Sequence, residues 1–345
     1  MTQKRFSNNL VLGLNFVAAF VLLLVYLSPY INPANYWYMG YIAYLYPVFF
    51  LVNICFMLYW LVKKNILLGL SLFMLVVGYR HFTRAFGFQF SQIDIQANNF
   101  KLVSYDVKNF EAYNFISDPS KDKLFKNYFS NQEPDLICFQ NLFDVKSKYG
   151  YAYLDTLRQL LDINYIYTDT AKSKVFNNPS GIKILSKYPI LKSARIDLEE
   201  EFNSNYDCVF LDLEFPDKII RLYAICLQSL YSDHQEHFDE VFDLRIRQYK
   251  SLKAHIKESP YPVIIAGNYN EPPLSYLNAK ITQDLKLKDA ALEAGFGWQA
   301  SLNSNILKAR IDYIHVDSSF ECHQFEVDDI DLSFHLPLSV CISYQ

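Results

Sequence analysis

The chain has 345 residues, is 51% hydrophobic and 17% aromatic, and carries a formal charge of −4. That length admits one large domain or two ordinary ones, and the apolar share excludes a disordered chain. The charge is unevenly spread: residues 1–96 hold six basic residues (Lys4, Arg5, Lys63, Lys64, Arg80, Arg84) and one acid (Asp94), leaving 26 basic against 35 acidic residues, a charge of −9, in 97–345. A domain that tracks a nucleic-acid backbone carries a basic excess, so nucleic acid is not expected as a partner.

The first elements are apolar. Residues 10–27 are uncharged and long enough to span a bilayer. After the turn-rich Ser28 to Pro33 comes a second uncharged run, 38–62, with Trp37, Tyr38, Tyr59 and Trp60 near its ends and Lys63-Lys64 as its stop. A third, shorter run covers 66–79 and ends at Arg80-His81. A cleaved signal peptide is rejected, because the first run lacks a small-residue cleavage site and more apolar runs come after it. Residues 1–96 are thus read as a transmembrane region of two or three helices, in contact with the lipid bilayer. Lys4-Arg5 and Lys63-Lys64 fall on one side and the connection between the first two runs is uncharged, which places those lysines in the cytoplasm. If the third run spans, the domain beyond it lies outside the inner membrane, in the periplasm. Arg80 and Arg84 run against that orientation.

From residue 97 the pattern changes to short β-rich runs separated by helical stretches. Strands are predicted over 101–107, 135–141, 181–186, 206–215, 219–228, 262–266, 310–316 and 336–342. Helices are predicted over 118–130, 151–161 and 234–257, the last with Phe238, Val241, Phe242 and Leu252 near helical spacing. The strand opened by Pro262 stops at Gly267 and hands over to the polar turn Asn268, Tyr269, Asn270, Glu271, a usual way to build a site at a sheet edge. An Asn-rich turn without a site has the same composition. The six cysteines show no metal-binding spacing and read as small core residues.

Seven of these segments, in order, resemble the motifs of the endonuclease/exonuclease/phosphatase superfamily. Ser104-Tyr-Asp-Val107 resembles its opening strand, and Pro134-Asp-Leu-Ile-Cys-Phe-Gln-Asn141 its P-D-[IV]-[IV]-x-[FL]-Q-E strand. Gly181 to Pro189 resembles G-x-A-I-[LF]-S-[KR]-x-P, and Arg221 to Ser229 resembles R-x-x-x-x-H-L-Q-S. Gly267 to Asn270 resembles G-D-[FL]-N, Arg310 to Ile314 matches R-[IL]-D-[YF]-I, and Ser333-Phe-His335 resembles the closing S-D-H. The resemblance implies an α/β, four-layer sandwich of two packed mixed sheets flanked by helices over 97–345, preceded by the all-α membrane region. It also implies a site. Members hydrolyse phosphate esters by in-line attack of water, with a magnesium-type ion held by carboxylates, an Asp base, an Asn that positions phosphate, and a His oriented by an Asp.

Against that pattern the chain keeps Asn270, Asp312 and His335, with Gln140, Gln228 and Arg310 as scaffold companions. It departs at four positions: Asn141 replaces the metal-holding Glu, Asn268 the base Asp, Cys226 the strand His, and Phe334 the Asp of S-D-H. Asp106 stands where the family usually has Asn and is the one weak candidate for a metal ligand. An amide is nearly isosteric with a carboxylate but uncharged, so Asn141 loses the attraction for a cation and Asn268 cannot act as a base. The substitutions favour a fold retained without hydrolysis: a binding or scaffolding subunit, with another integral membrane protein as partner and no cofactor. The alternative is a divergent, magnesium-dependent phosphoesterase for a small or lipid phosphate ester, working through Asp106, Asn270, Asp312 and His335, with Glu271 as a further acid. The Asp312–His335 pair has a third explanation, a buried bond that joins two strands whether or not there is a substrate.

Overall fold

The computed structural model describes residues 2–89, 98–108, 118–143, 153–168, 180–196, 198, 208–229, 238–304 and 308–344. The N-terminal part is helical: α1 (Thr2–Leu27), α2 (Tyr38–Ile42), α3 (Tyr46–Val62), α4 (Leu68–Val77) and α5 (Tyr79–Ala85). The second apolar run is therefore not one α-helix. A 3-10 turn at Ala43–Leu45 interrupts it, and α3 restarts with Pro47 in its first turn, where the missing N–H has no partner to lose. The third run continues past Gly78 as α5. Two stretches, Asn8–Tyr30 and Tyr38–Val62, are long and apolar enough to cross a membrane. The helices are tied by their few polar groups: Asn15 Nδ2 donates to Ser71 Oγ (2.8 Å), and Trp60 Nε1 donates to Asn15 Oδ1 (3.0 Å).

The rest of the chain runs β1 (Gly87–Phe88), β2 (Asn99–Asp106), α6 (Pro119–Gln132), β3 (Leu136–Phe143), α7 (Tyr153–Leu161), β4 (Tyr165–Thr168), β5 (Ser180–Ser186), β6 (Ile190–Ile196), β7 (Cys208–Glu214) and β8 (Ile219–Cys226). It continues α8 (Phe238–Lys257), β9 (Val263–Asn268), α9 (Tyr276–Leu285), β10 (Lys288–Asp289), α10 (Ala290–Ala294), β11 (Phe296–Gly297), β12 (Asp312–Val316), β13 (Phe320–Val327) and β14 (Leu338–Tyr344). Two six-stranded sheets form, in the orders β13-β14-β2-β3-β5-β4 and β10-β12-β9-β8-β7-β6. Each contains one parallel pair, β2 with β3 and β8 with β9, so both are mixed.

Period-2 alternation sorts the side chains between layers. Leu102, Leu136, Ile184, Leu211, Leu222, Ile264, Ile314 and Val340 fill the space between the sheets. On the outer face of the first sheet Val103, Ile137 and Phe139 pack on Phe125 and Phe129 of α6 and Leu157 of α7. On the outer face of the second, Tyr223, Ile265 and Tyr313 pack on Tyr249 and Leu252 of α8 and Ile281 of α9. The result is the predicted four-layer sandwich. Several elements were not predicted: β4, β6, β10, β13, α9 and α10. β6 (Ile-Leu-Lys-Ser-Ala-Arg-Ile) and β13 (Phe-Glu-Cys-His-Gln-Phe-Glu-Val) lie at sheet edges, and their mixed polarity reflects it. The predicted starts at Tyr151, Tyr206 and His234, and Asp94, lie outside the described residues.

The helical part packs directly onto the sandwich. Leu274, just before α9, is buried in one cluster with Leu22, Val25, Tyr26 and Tyr46, and Trp298 packs against it. Ser28 Oγ donates to the Leu274 carbonyl (2.8 Å), and Arg310 Nη2 reaches the Arg84 carbonyl (3.3 Å). At Gly40 a Cβ would fall 2.2 Å from the Phe242 ring of α8, so only glycine permits this approach. After α5, β1 pairs with β11, Gly87 opposite Gly297 and Phe88 opposite Phe296.

Candidate functional site

The central strands bring their ends together at one edge of the sandwich. Cys226 of β8, Asn268 of β9 and Asp312 of β12 lie abreast, because Cys226 pairs with Asn268 in parallel and Asp312 pairs with Asn268 antiparallel. On the facing sheet, Asp106 ends β2 beside Gln140 of β3. Asn141 comes next in a left-handed conformation (φ 53°), at the irregularity between Phe139 and Leu142 that re-aims its side chain. Gly267 (φ 144°) is required: a Cβ there would meet the Ile225 carbonyl oxygen at 2.0 Å.

Asp106 is the centre of the cluster and is buried. Its Oδ1 accepts from Asn141 Nδ2 (2.9 Å) and from the Lys108 backbone N–H (3.0 Å). Its Oδ2 accepts from Asn268 Nδ2 (2.7 Å) and lies 3.0 Å from Asn141 Nδ2. Both oxygens are therefore engaged by amide donors. The orientation of Asn268 is set twice, since its Oδ1 accepts from the Asn270 backbone N–H (2.8 Å). Turning either amide over would oppose a carbonyl oxygen to a carboxylate. Cys226 Sγ lies 3.4 Å from Asn141 Nδ2, on the rim of the same cluster.

His335 is wholly buried and stands between two acids. Its Nδ1 is 2.8 Å from Asp312 Oδ2, and its Nε2 is 4.0 Å from Asp106 Oδ2. Asp312 is fixed by Ser301, whose Oγ donates to the same Oδ2 (2.7 Å) and accepts from the Ile311 and Asp312 backbone N–H groups (both 3.1 Å). Ser333 Oγ donates to the Asp106 carbonyl (3.0 Å) and so ties the His335 turn to β2. Burial opposes a charge on His335, but the carboxylates of Asp312 and Asp106 outweigh it and hold the imidazole above its ordinary value.

Asn270 is also left-handed (φ 52°), and its Nδ2 donates to the Leu227 carbonyl (2.7 Å). Its own carbonyl accepts from Tyr44 Oη of the helical region (2.8 Å). Glu271, considered from sequence as a further acid for chemistry, does not join Asp106. It forms a buried ion pair with Arg245 of α8 (Nη1 to Oε1, 2.7 Å), while burial raises its carboxyl against that pairing. Phe334 is exposed and is not brought to the cluster. Sequence reasoning missed Ser301, Tyr44 and Arg245. Ser301 lies in a loop without a motif, and Tyr44 and Arg245 sit in runs whose pattern reads only as helix.

One group of side chains at this edge could offer ligands to a hard divalent ion. Asp106, Asp312 and His335 each offer one ligand atom within 4.8 Å of the others, but Asp312 Oδ2 is already engaged by His335 Nδ1 and Ser301 Oγ. The amides around Asp106 present N–H, where a cation needs oxygen. What the arrangement can do is hold a buried negative charge at Asp106 and a proton at His335.

A family profile described as Endonuclease/Exonuclease/phosphatase family matches residues 104–333, and one described as a domain of unknown function matches residues 8–85. No curated protein matches the chain by sequence. Among solved structures, the chain is similar to an endonuclease/exonuclease/phosphatase from Beutenbergia cavernae (14% identity, 72% of each chain covered, TM-score 0.55). It is also similar to the human Nocturnin catalytic domain with bound sulfate (16%, 74% of this chain and 97% of that one, TM-score 0.57). A third is ANGEL2, a 2',3'-cyclic phosphatase solved with adenosine-2',3'-vanadate (14%, 74% and 97%, TM-score 0.58). At such identities the structural likeness speaks for the fold, and the profile match covers most of the chain. The protein belongs to the endonuclease/exonuclease/phosphatase family.

Proposed function

We propose that this is a membrane-anchored member of the family whose cleft binds instead of hydrolysing, as a subunit of an assembly with another integral membrane protein. The observation that carries the reading is the enclosure of Asp106: amides of Asn141 and Asn268 donate to it from the two positions where the resemblance calls for acids. A cation site and a base are lost together, each of which supports orders of magnitude in rate. The multi-pass reading rests on helix lengths. From the sandwich, α1 and α3 run about 39 and 26 Å away, and α4 with α5 returns about 27 Å, at 1.5 Å per residue. Lys63-Lys64 lies at the far end, so the positive-inside rule sets the sandwich outside the inner membrane.

The test is hydrolysis by the purified full-length protein with magnesium or manganese, on phosphomonoesters, phosphodiesters and lipid phosphates. We expect no turnover above that of an Asn270→Ala/His335→Ala variant. Turnover that the variant loses would establish the other reading, a divergent phosphoesterase built on Asp106, Asn270, Asp312 and His335; the observation on its side is the proton held at His335 with Nε2 turned toward Asp106.

A further inference from the structure

We infer that the sandwich is seated on the bilayer, with Phe88 and Phe296 entering the lipid boundary and Arg80 and Arg84 pairing with phosphates of anionic headgroups. The inference rests on the membrane reading of the helical part and adds a second contact, made by the sandwich itself.

Phe296 belongs to the sandwich, after α10, yet its Cα partner is Phe88 at the end of the helical part. Both side chains are exposed, at 59% and 46%. The Phe88 ring lies 5.3 Å from Phe82, which stacks 5.1 Å from Phe50 of α3. Aromatic ring contacts thus run from α3 through Phe82 onto the β1–β11 ribbon. Tyr30 and Tyr79 are exposed at the same end of the helices, and aromatic side chains collect at the headgroup level. Arg80 and Arg84 stand one turn apart on α5, also at this end. Among the described residues neither side chain is paired with a carboxylate, and residues 1–96 contain only the acid Asp94. Their position contradicts the positive-inside pattern, so something other than the cytoplasmic charge bias must favour them there. A lipid phosphate is the anion available at that depth.

The experiment uses the full chain in nanodiscs of phosphatidylcholine with phosphatidylglycerol, carrying doxyl-labelled phosphatidylcholine as quencher. Cys55 is the exposed cysteine, on α3, and takes a bimane label directly. In a Cys55→Ser background the label is moved to Phe296→Cys, to Phe88→Cys as a second position, and to Leu160→Cys, exposed on α7 at the opposite flank of the sandwich. We expect the doxyl lipid to quench labels at 55, 88 and 296 and to leave 160 bright. An unquenched Cys55 label overturns the membrane reading itself. Quenching at 55 with a bright label at 296 overturns the seating alone and leaves that face to a protein partner. Quenching at 296 is expected to deepen with the share of phosphatidylglycerol, and Arg80→Gln with Arg84→Gln is expected to abolish that dependence without changing the signal at 55. A signal at 296 indifferent to phosphatidylglycerol overturns the role of the arginines.

Discussion

Asp106 and Asn268 face each other as one carboxylate and one primary amide, joined by a 2.7 Å bond. The resemblance implies the same two groups on the opposite strands, an amide on β2 and a carboxylate on β9, whereas here the carboxylate is on β2. Asn268→Asp alone sets two buried carboxylates against each other and is expected to cost about 3 kcal/mol. Adding Asp106→Asn should return most of that loss, read as melting temperature. With Asn141→Glu as a third change, calorimetry is expected to show magnesium binding, and to show none for the parent. His335 supplies a pH signature. Its folded value is raised above about 6.5, its ordinary one. The stability it contributes is therefore fully present below pH 6.5 and lost as pH rises through the raised folded value. His315, pushed down to about 4 by burial, acts in the opposite sense at acid pH, so the comparison is with His335→Gln. The melting temperature of the parent relative to that variant should fall on the alkaline side, and a flat difference would refute a buried imidazolium.

At the scale of elements, the strand order makes the site and the loops hold it in place. Parallel pairing of β8 with β9 and of β2 with β3 sends both central pairs toward the same edge, where their carboxyl ends leave room for side chains. The β9–α9 loop is then fixed from two sides, by Arg245 of α8 through Glu271 and by Tyr44 through the Asn270 carbonyl. Both Arg245 and Glu271 are almost wholly buried, so Arg245→Leu strands a carboxyl group and is expected to cost about 3–5 kcal/mol in denaturant unfolding. A joint Arg245→Met/Glu271→Met change should cost much less, because no charge is left behind.

At the scale of the molecule, the helical part and the sandwich share a core. Tyr46, Phe86 and Trp298 meet ring to ring, at 6.2 Å for Tyr46–Trp298 and 5.3 Å for Phe86–Trp298. Cutting the chain to residues 98–345 would expose Leu274, Phe242 and Trp298 and remove the partners of the Leu274 and Asn270 carbonyls. The isolated sandwich is expected to melt well below the full chain in the same detergent, and to aggregate. An equal melting temperature would show that the interface adds little to stability.

The amino-acid sequence by itself determined the apolar runs, the charge contrast between the two parts and the order of the family motifs, because these depend on local composition and spacing. Strands buried on both faces, such as Val263–Asn268, announce themselves as unbroken apolar runs. Edge strands such as β6 and β13 do not, since half their surface stays in contact with water. The substitutions at Asn141 and Asn268 were equally legible, as missing charges. Only the tertiary structure decided where the remaining charges went: Glu271 to Arg245, and Asp106 to two amides more than thirty and more than a hundred and sixty residues away. Only the tertiary structure, too, set Tyr44 against Asn270 and Phe88 against Phe296. The reason is physical: a hydrogen bond or an ion pair has a range of a few ångströms, and folding alone brings distant residues within it.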